Sequence, residues 1–153
     1  MMIAGNDIYN FVRESNRIEG IHRPPTPGEI VVTTEFLDLE RVEIADVVRL
    51  VNIYQPDAEL RSRVGLNVRV GNYIAPLGGP QVEFDLGVIL GRHNAGDDPW
   101  SVHLAYEALH PFTDGNGRSG RALWFAAMRG SNQARTLGFL HTFYYQTLER
   151  IAK

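Results

Sequence analysis

Apolar side chains recur at helical spacing along most of the chain, and the interruptions fall where Pro and Gly cluster. Between residues 7 and 19, Ile8, Phe11, Val12, Ser15 and Ile18 share one face of an amphipathic helix, with Asn6 as N-cap and Gly20 as its stop. Residues 22–28 hold three prolines and read as a connector, because Pro lacks the amide hydrogen and restricts the residue before it. A second helix is expected over about residues 34–54, where Ile44, Val47, Val48 and Val51 form a stripe; the β-prone run 30–34 before it is ambiguous. Residues 67–82 alternate in short runs broken by Gly71-Asn72, Pro76, Gly78-Gly79 and Pro80, which predicts a hairpin. Asp85 is expected to cap a helix running to His93, and Asp97-Asp98-Pro99 to start one ending near His110. Helices over about 116–129, closed by Gly130, and over about 137–151 complete an all-α bundle with a small β-hairpin on one side.

Length and composition narrow the chemistry. The 153 residues predict a single domain, 1–153. With no Cys there is no disulfide framework, thiolate nucleophile or Cys-ligated metal, and with Lys153 as the only lysine a P-loop or a buried Schiff-base lysine is excluded. Any phosphate must be held by Arg and backbone N–H groups. The net charge of −3 offers no basic footprint for nucleic acid. That total conceals an asymmetry: residues 1–114 carry nine basic and seventeen acidic side chains, net −8, whereas residues 115–153 carry six and one, net +5. No run of apolar residues is long enough for a membrane span and the first residues lack a secretory pattern, so a cytoplasmic protein is expected.

The segment with the most chemistry is HPFTDGNGRSGR, residues 110–121. It reads as a helix end, a tight turn and a Gly-rich entry into a new helix, whose free N–H groups and positive dipole end suit an anion. Gly115 and Gly117 admit close approach of the backbone, Asn116 offers a further donor, and Arg118 and Arg121 lie three apart on one helical face. Asp114 is placed to hold Mg²⁺, which combines few carboxylates with phosphate oxygens and water. His110 has a pKa suited to taking a hydroxyl proton near neutrality. Other readings compete. Gly115-x-Gly117-x-x-Gly120 matches a dinucleotide fingerprint but follows a helix, with no acidic residue about 20 positions on. Gly117-Arg118-Ser119-Gly120 resembles a nucleophile elbow but has Arg121 where the closing Gly belongs. A metal set of His93, His103, His110 and Asp114 would suit a metallohydrolase, and a Gly-rich turn with two solvated Arg would do no chemistry at all.

The segment also matches, at all eight constrained positions, the motif His-x-Phe-x-Asp/Glu-Gly-Asn-Gly-Arg-x-x-Arg, and on those residues the chain resembles the Fic (filamentation induced by cAMP) family. The resemblance implies a helical Fic fold and transfer of AMP from ATP to a Ser, Thr or Tyr hydroxyl of a target protein, with pyrophosphate leaving. It makes His110 the general base, Asp114 the Mg²⁺ ligand, and Gly115, Asn116 and Gly117 the anion hole. Arg118 then steadies the phosphates, Arg121 meets the γ-phosphate and Phe112 anchors the loop in the core. The hairpin 67–82 looks like the family's flap, which holds a target segment by strand addition.

Near the N-terminus, Ser15-Asn16-Arg17-Ile18-Glu19-Gly20 resembles the family's inhibitory motif Ser/Thr-x-x-x-Glu-Gly/Asn. By that resemblance Glu19 pairs with Arg121 in the place of the γ-phosphate, so the protein restrains itself through its own helix, about 7–19, and needs no separate antitoxin. The expected function is an autoinhibited protein adenylyltransferase acting on a target or on itself. A phosphotransferase or a de-AMPylating Fic enzyme is the alternative within the class. A non-catalytic nucleotide-sensing or toxin–antitoxin module is the alternative outside it. The target, and whether the chain self-associates, stay open.

Overall fold

Prolines and capping boxes set the first boundaries of the fold. The computed structural model describes residues 5–129. Helix α1 (Gly5–Ile18) buries Ile8, Phe11, Val12 and Ser15, as its periodicity predicts, although Asn6 lies inside the helix rather than capping it. It closes with a Schellman turn: Gly20, at φ 78°, donates to the Arg17 carbonyl and Ile21 donates to the Asn16 carbonyl. The chain therefore turns away directly after Glu19.

The expected helix over 34–54 is two helices. Helix α2 (Pro27–Leu37) absorbs the β-prone run, and α3 (Ile44–Tyr54) follows a break at 38–43. Thr26 and Glu29 form a capping box with Pro27 in the first turn, and this nucleus outweighs the β-branched run Val31–Thr34. Glu29 is also a structural hub. It accepts hydrogen bonds from Arg23, from the Thr26 amide and from Asn16 Nδ2 of α1. Burial pushes the Glu29 carboxyl upward, but these donors outweigh it and hold the group below its ordinary value.

The hairpin is smaller than expected. Strands β1 (Arg69–Val70) and β2 (Tyr73–Ile74) pair antiparallel across the Gly71-Asn72 turn, with Arg69 opposite Ile74 and Val70 opposite Tyr73. Helix α4 (Pro80–Asn94) starts at Pro80 with Gly79 as N-cap, so Asp85 sits in its second turn and caps nothing. Helix α5 (Pro99–Leu109) begins as predicted, with the Asp98 carboxylate accepting from the Ser101 amide at 2.9 Å.

Helix α6 (Asn116–Met128) is the central element. It packs against α5, α2, α3 and α1, and every residue from Arg118 to Ala126 is buried. A helix apolar on one face alone could not be surrounded in this way; here the polar side chains 118, 119 and 121 are buried with the apolar ones. Among the described residues the architecture is thus six helices and one two-stranded hairpin, the all-α class with a small hairpin. No helix among them is long and apolar enough to cross a membrane. Gly130 and the helix expected over 137–151 lie outside the described residues.

His103 joins α5 to α6. Its Nδ1 lies 2.9 Å from the Gly120 carbonyl, which can only accept, so Nδ1 carries the proton. The ring stacks on Trp100 and is 1% exposed, and burial pulls its pKa from 6.5 to about 4. The unfolded chain therefore takes up a proton before the native one does, and this contribution to stability is present above pH 6.5 and lost as the pH falls toward 4. Denaturant titrations should show about 3 kcal/mol of acid-induced loss over that interval traceable to this residue. A His103→Gln variant should lose that part of the slope; an unchanged slope would show that His103 is not its source.

Candidate active site

The loop between α5 and α6 is held by main-chain pairing on one side and a side-chain clasp on the other. Residues 59–61 run antiparallel to 111–113: the Arg61 amide donates to the Pro111 carbonyl and the Thr113 amide to the Glu59 carbonyl. Asn116 closes the turn, accepting from the Phe112 amide and donating to the Phe112 carbonyl, each at 2.8 Å. Its side-chain amide thus fixes the loop with one of its two N–H donors and its oxygen, and its backbone N–H lies at the helix entrance. Phe112 is fully buried, as an anchor must be.

Gly115, at φ 79°, is the N-cap of α6 and no side chain caps the helix. The first intrahelical bond runs from the Ser119 amide to the Gly115 carbonyl, so the N–H groups of residues 116–118 stand at an uncapped helix N-terminus. Two buried guanidinium groups border it. Arg118 is 4% exposed, lies over the Tyr54 ring at 5.4 Å, and its Nε has no hydrogen-bond partner among the described residues. Arg121 is 2% exposed and turns toward α1, donating through Nε to Ser15 Oγ (2.8 Å) and through Nη2 to the Ser15 carbonyl (3.0 Å). Nη2 also meets the Glu19 carboxylate at 2.7 Å. The same carboxylate oxygen lies over Gly117, 2.3 Å from where a Cβ would stand, so only glycine leaves room for it. The motif at residues 15–20 and the loop at 110–121 thus meet at the entrance of α6.

His110 ends α5 in the left-handed region, φ 51° and ψ 62°, the one non-glycine residue among those described with positive φ. Burial pulls its imidazole below 6.5, its backbone hydrogen bond with Glu107 works the other way, the Arg61 charge lowers it further, and the Glu19 and Asp114 carboxylates oppose that. The net direction is downward, so the ring is a neutral base at pH 7.

Asp114 is exposed beside the entrance. One carboxylate oxygen accepts from the Gly115 amide and the other from Gln55 Nε2, each at 2.7 Å. A carboxylate has about four lone-pair sites, so the group retains capacity for a cation. A single carboxylate beside an uncapped helix N-terminus is a donor set that fits Mg²⁺ shared with an anion.

The competing arrangements are not assembled. No group of three His, Asp or Glu that could hold a metal occurs among the described residues, and His103 is consumed between α5 and α6. Ser119 is buried, with its hydroxyl on Tyr106 Oη and the Gly115 carbonyl, so it is no exposed nucleophile. The segment 115–120 follows a helix and loop rather than a strand. Gly120 has a local reason: a Cβ there would stand 2.2 Å from the Glu107 carboxylate.

Four residues that border or hold the loop were not singled out from the sequence: Arg61, Tyr54, Gln55 and Tyr73. Arg61 donates to four backbone carbonyls around the loop, and Tyr73 Oη of the hairpin donates to the Ala108 carbonyl of α5. Tyr54 and Gln55 had a weak signal in their position at the end of the apolar stripe of α3. Arg61 and Tyr73 had none, because nothing local separates a buried Arg or a tethered Tyr from a solvated one.

Residues 80–128 match the family model of the Fic/DOC family. No curated protein and no solved structure matches the chain. The matched stretch runs from the first residue of α4 to the last of α6, while Ser15, Glu19 and the hairpin lie before it. The whole loop from His110 to Arg121, with its histidine, open helix end and two buried Arg, falls within that stretch, so it is through residues 80–128 that the chain is similar to the Fic/DOC family.

Proposed function

We propose that this protein is an autoinhibited protein adenylyltransferase. The observation that carries the reading is the Glu19 carboxylate at 2.7 Å from buried Arg121, over Gly117 at the uncapped entrance of α6. A carboxylate stands where a phosphate would be drawn by the same cation and the same N–H groups.

In the transfer step, a target hydroxyl oxygen attacks the α-phosphorus of ATP. The new O–P bond forms as the bond from that phosphorus to the bridging oxygen of the β-phosphate breaks, and pyrophosphate leaves. The hydroxyl proton passes to His110, whose burial keeps it neutral and able to accept. Arg118, whose Nε meets no hydrogen-bond partner among the described residues, and the N–H groups of 116–118 neutralise the phosphate oxygens, with positioning and electrostatics supplying most of the rate. Asp114 would hold Mg²⁺, which when bound offsets phosphate charge. The hairpin 69–74, outermost beside the loop and exposed at Val70 and Ile74, would present the target segment by strand addition. While Glu19 occupies Arg121, a triphosphate tail meets like charge there, and the α-phosphorus is left misaligned for attack.

Glu19→Gly should raise incorporation from α-labelled ATP about tenfold or more, the gain expected when about 1.4 kcal/mol of obstruction is removed. Incorporation from γ-labelled ATP instead would mean phosphate transfer, and neither label would mean a binding module. In that background His110→Ala should lower transfer by about 10²- to 10⁴-fold with the ATP dissociation constant unchanged. Lost ATP binding would make the histidine structural. The acid limb of the transfer rate should have its midpoint below 6.5, because the base is active only when neutral and burial has lowered its pKa. A midpoint above 6.5 would contradict His110 as that base.

A further inference from the structure

Arg61 lies in the stretch before the hairpin, outside every motif, and is completely buried. No carboxylate pairs with it among the described residues. Instead its planar fork is filled by backbone oxygens: Nε donates to the His110 carbonyl (2.7 Å), Nη2 to Leu109 (2.8 Å), and Nη1 to Leu66 (3.1 Å) and Pro76 (2.7 Å). Leu109 and His110 are the C-terminal end of α5, whose carbonyls carry the negative end of the helix dipole. Leu66 and Pro76 flank the hairpin strands 69–70 and 73–74. The main chain of the same residue adds two bonds, its amide to the Pro111 carbonyl and its carbonyl from the Gly79 amide.

Burying a guanidinium costs several kcal/mol unless its donors are met, and an apolar residue of similar volume would fill the space without that cost. What the cation provides is geometry. A guanidinium directs its donors in fixed coplanar directions, so the His110 carbonyl cannot rotate away without breaking a bond to the same rigid group that holds Leu66 and Pro76 beside the hairpin. The constraint falls on the residue whose left-handed backbone has the least steric support.

The geometry points to Arg61 as the positioning residue of the site: its single fork holds both ends of the hairpin and the His110 peptide, and so sets the distance between the base and a hydroxyl presented by the hairpin. This deepens the transferase reading and rests on it for its rate measurements. It does not touch the phosphates, which are met by Arg118, Arg121 and the α6 N-terminus.

The test starts from the Glu19→Gly form and compares it with Arg61→Lys and Arg61→Gln added to it. Lys keeps the charge but cannot span four carbonyls. Both should lower kcat for transfer by about 100-fold, the cost of displacing a reacting group by about 1 Å. The KM for ATP should stay within about twofold, since uniform binding is untouched. Transfer by Arg61→Lys at the parental rate, or an ATP KM that rises as kcat falls, overturns the proposal. An independent measurement uses the unsubstituted chain. Hydrogen exchange at the Ala75 amide in the hairpin and the Thr113 amide in the loop should proceed through one shared opening with the same denaturant dependence. Separate openings overturn the clamp whether or not either variant folds. If Glu19→Gly transfers nothing from ATP, the transferase reading fails while the exchange result still decides whether Arg61 couples the two segments.

Discussion

The guanidinium of Arg121 sits in the most enclosed helix of the protein, and its need for an anion governs the arrangement around it. At 2% exposure a cation cannot rely on water, so partners must be brought to it. They come from α1: a hydroxyl and a carbonyl from Ser15 and a carboxylate from Glu19. This places the first helix across the entrance of the last described one. The carboxylate is 38% exposed while the cation is buried, so the anionic half of the pair is the half that can be exchanged for another anion from solvent.

Around that pair the loop is built with little slack. Asn116 holds both backbone groups of Phe112, Gln55 and the Gly115 amide hold Asp114, and Arg61 holds four carbonyls. Arg118 is the exception, stacked on Tyr54 with an Nε that no described group meets. One buried cation is met by the protein's own carboxylate, and the other lies against an aromatic ring with no described carboxylate beside it. Docking of α1 is reinforced at a distance by Asn16 on Glu29, the acceptor that also closes the capping box of α2. The helix that carries Glu19 is therefore tied to the bundle at two successive residues, 15 and 16.

The comparison of expectation with structure separates local from distant causes. Asp98-Pro99 started α5 as expected because cap and first-turn Pro act within four residues. The same rule applied to Thr26-Pro27-Gly28-Glu29 would have placed α2, but the β-branched residues after it left residues 30–34 ambiguous. The stripe of α3 continued too far back because apolar spacing does not register the break at 38–43. Asp85 failed as a cap because Gly79-Pro80 one turn earlier already supplies the N-cap and first turn. Asn116 reaches back four positions to hold both backbone groups of Phe112, a bond that its residue type permits but does not specify.

The form of the loop and the helix that ends just before Glu19 were legible because short-range rules bear on them: glycines that admit close approach, a helix N-terminus, Arg at three-residue spacing, a Gly stop after a Glu. That Glu19 meets Arg121, 102 positions further along the chain, came from a resemblance, and no spacing rule along the chain could have supplied it. The roles of Arg61 and Tyr73 are of the same kind. They depend on carbonyls 5 to 49 positions away that come within reach only when the bundle has closed. A side chain's identity states which bonds it can form; which of them it does form is set by the chain segments that packing brings to it.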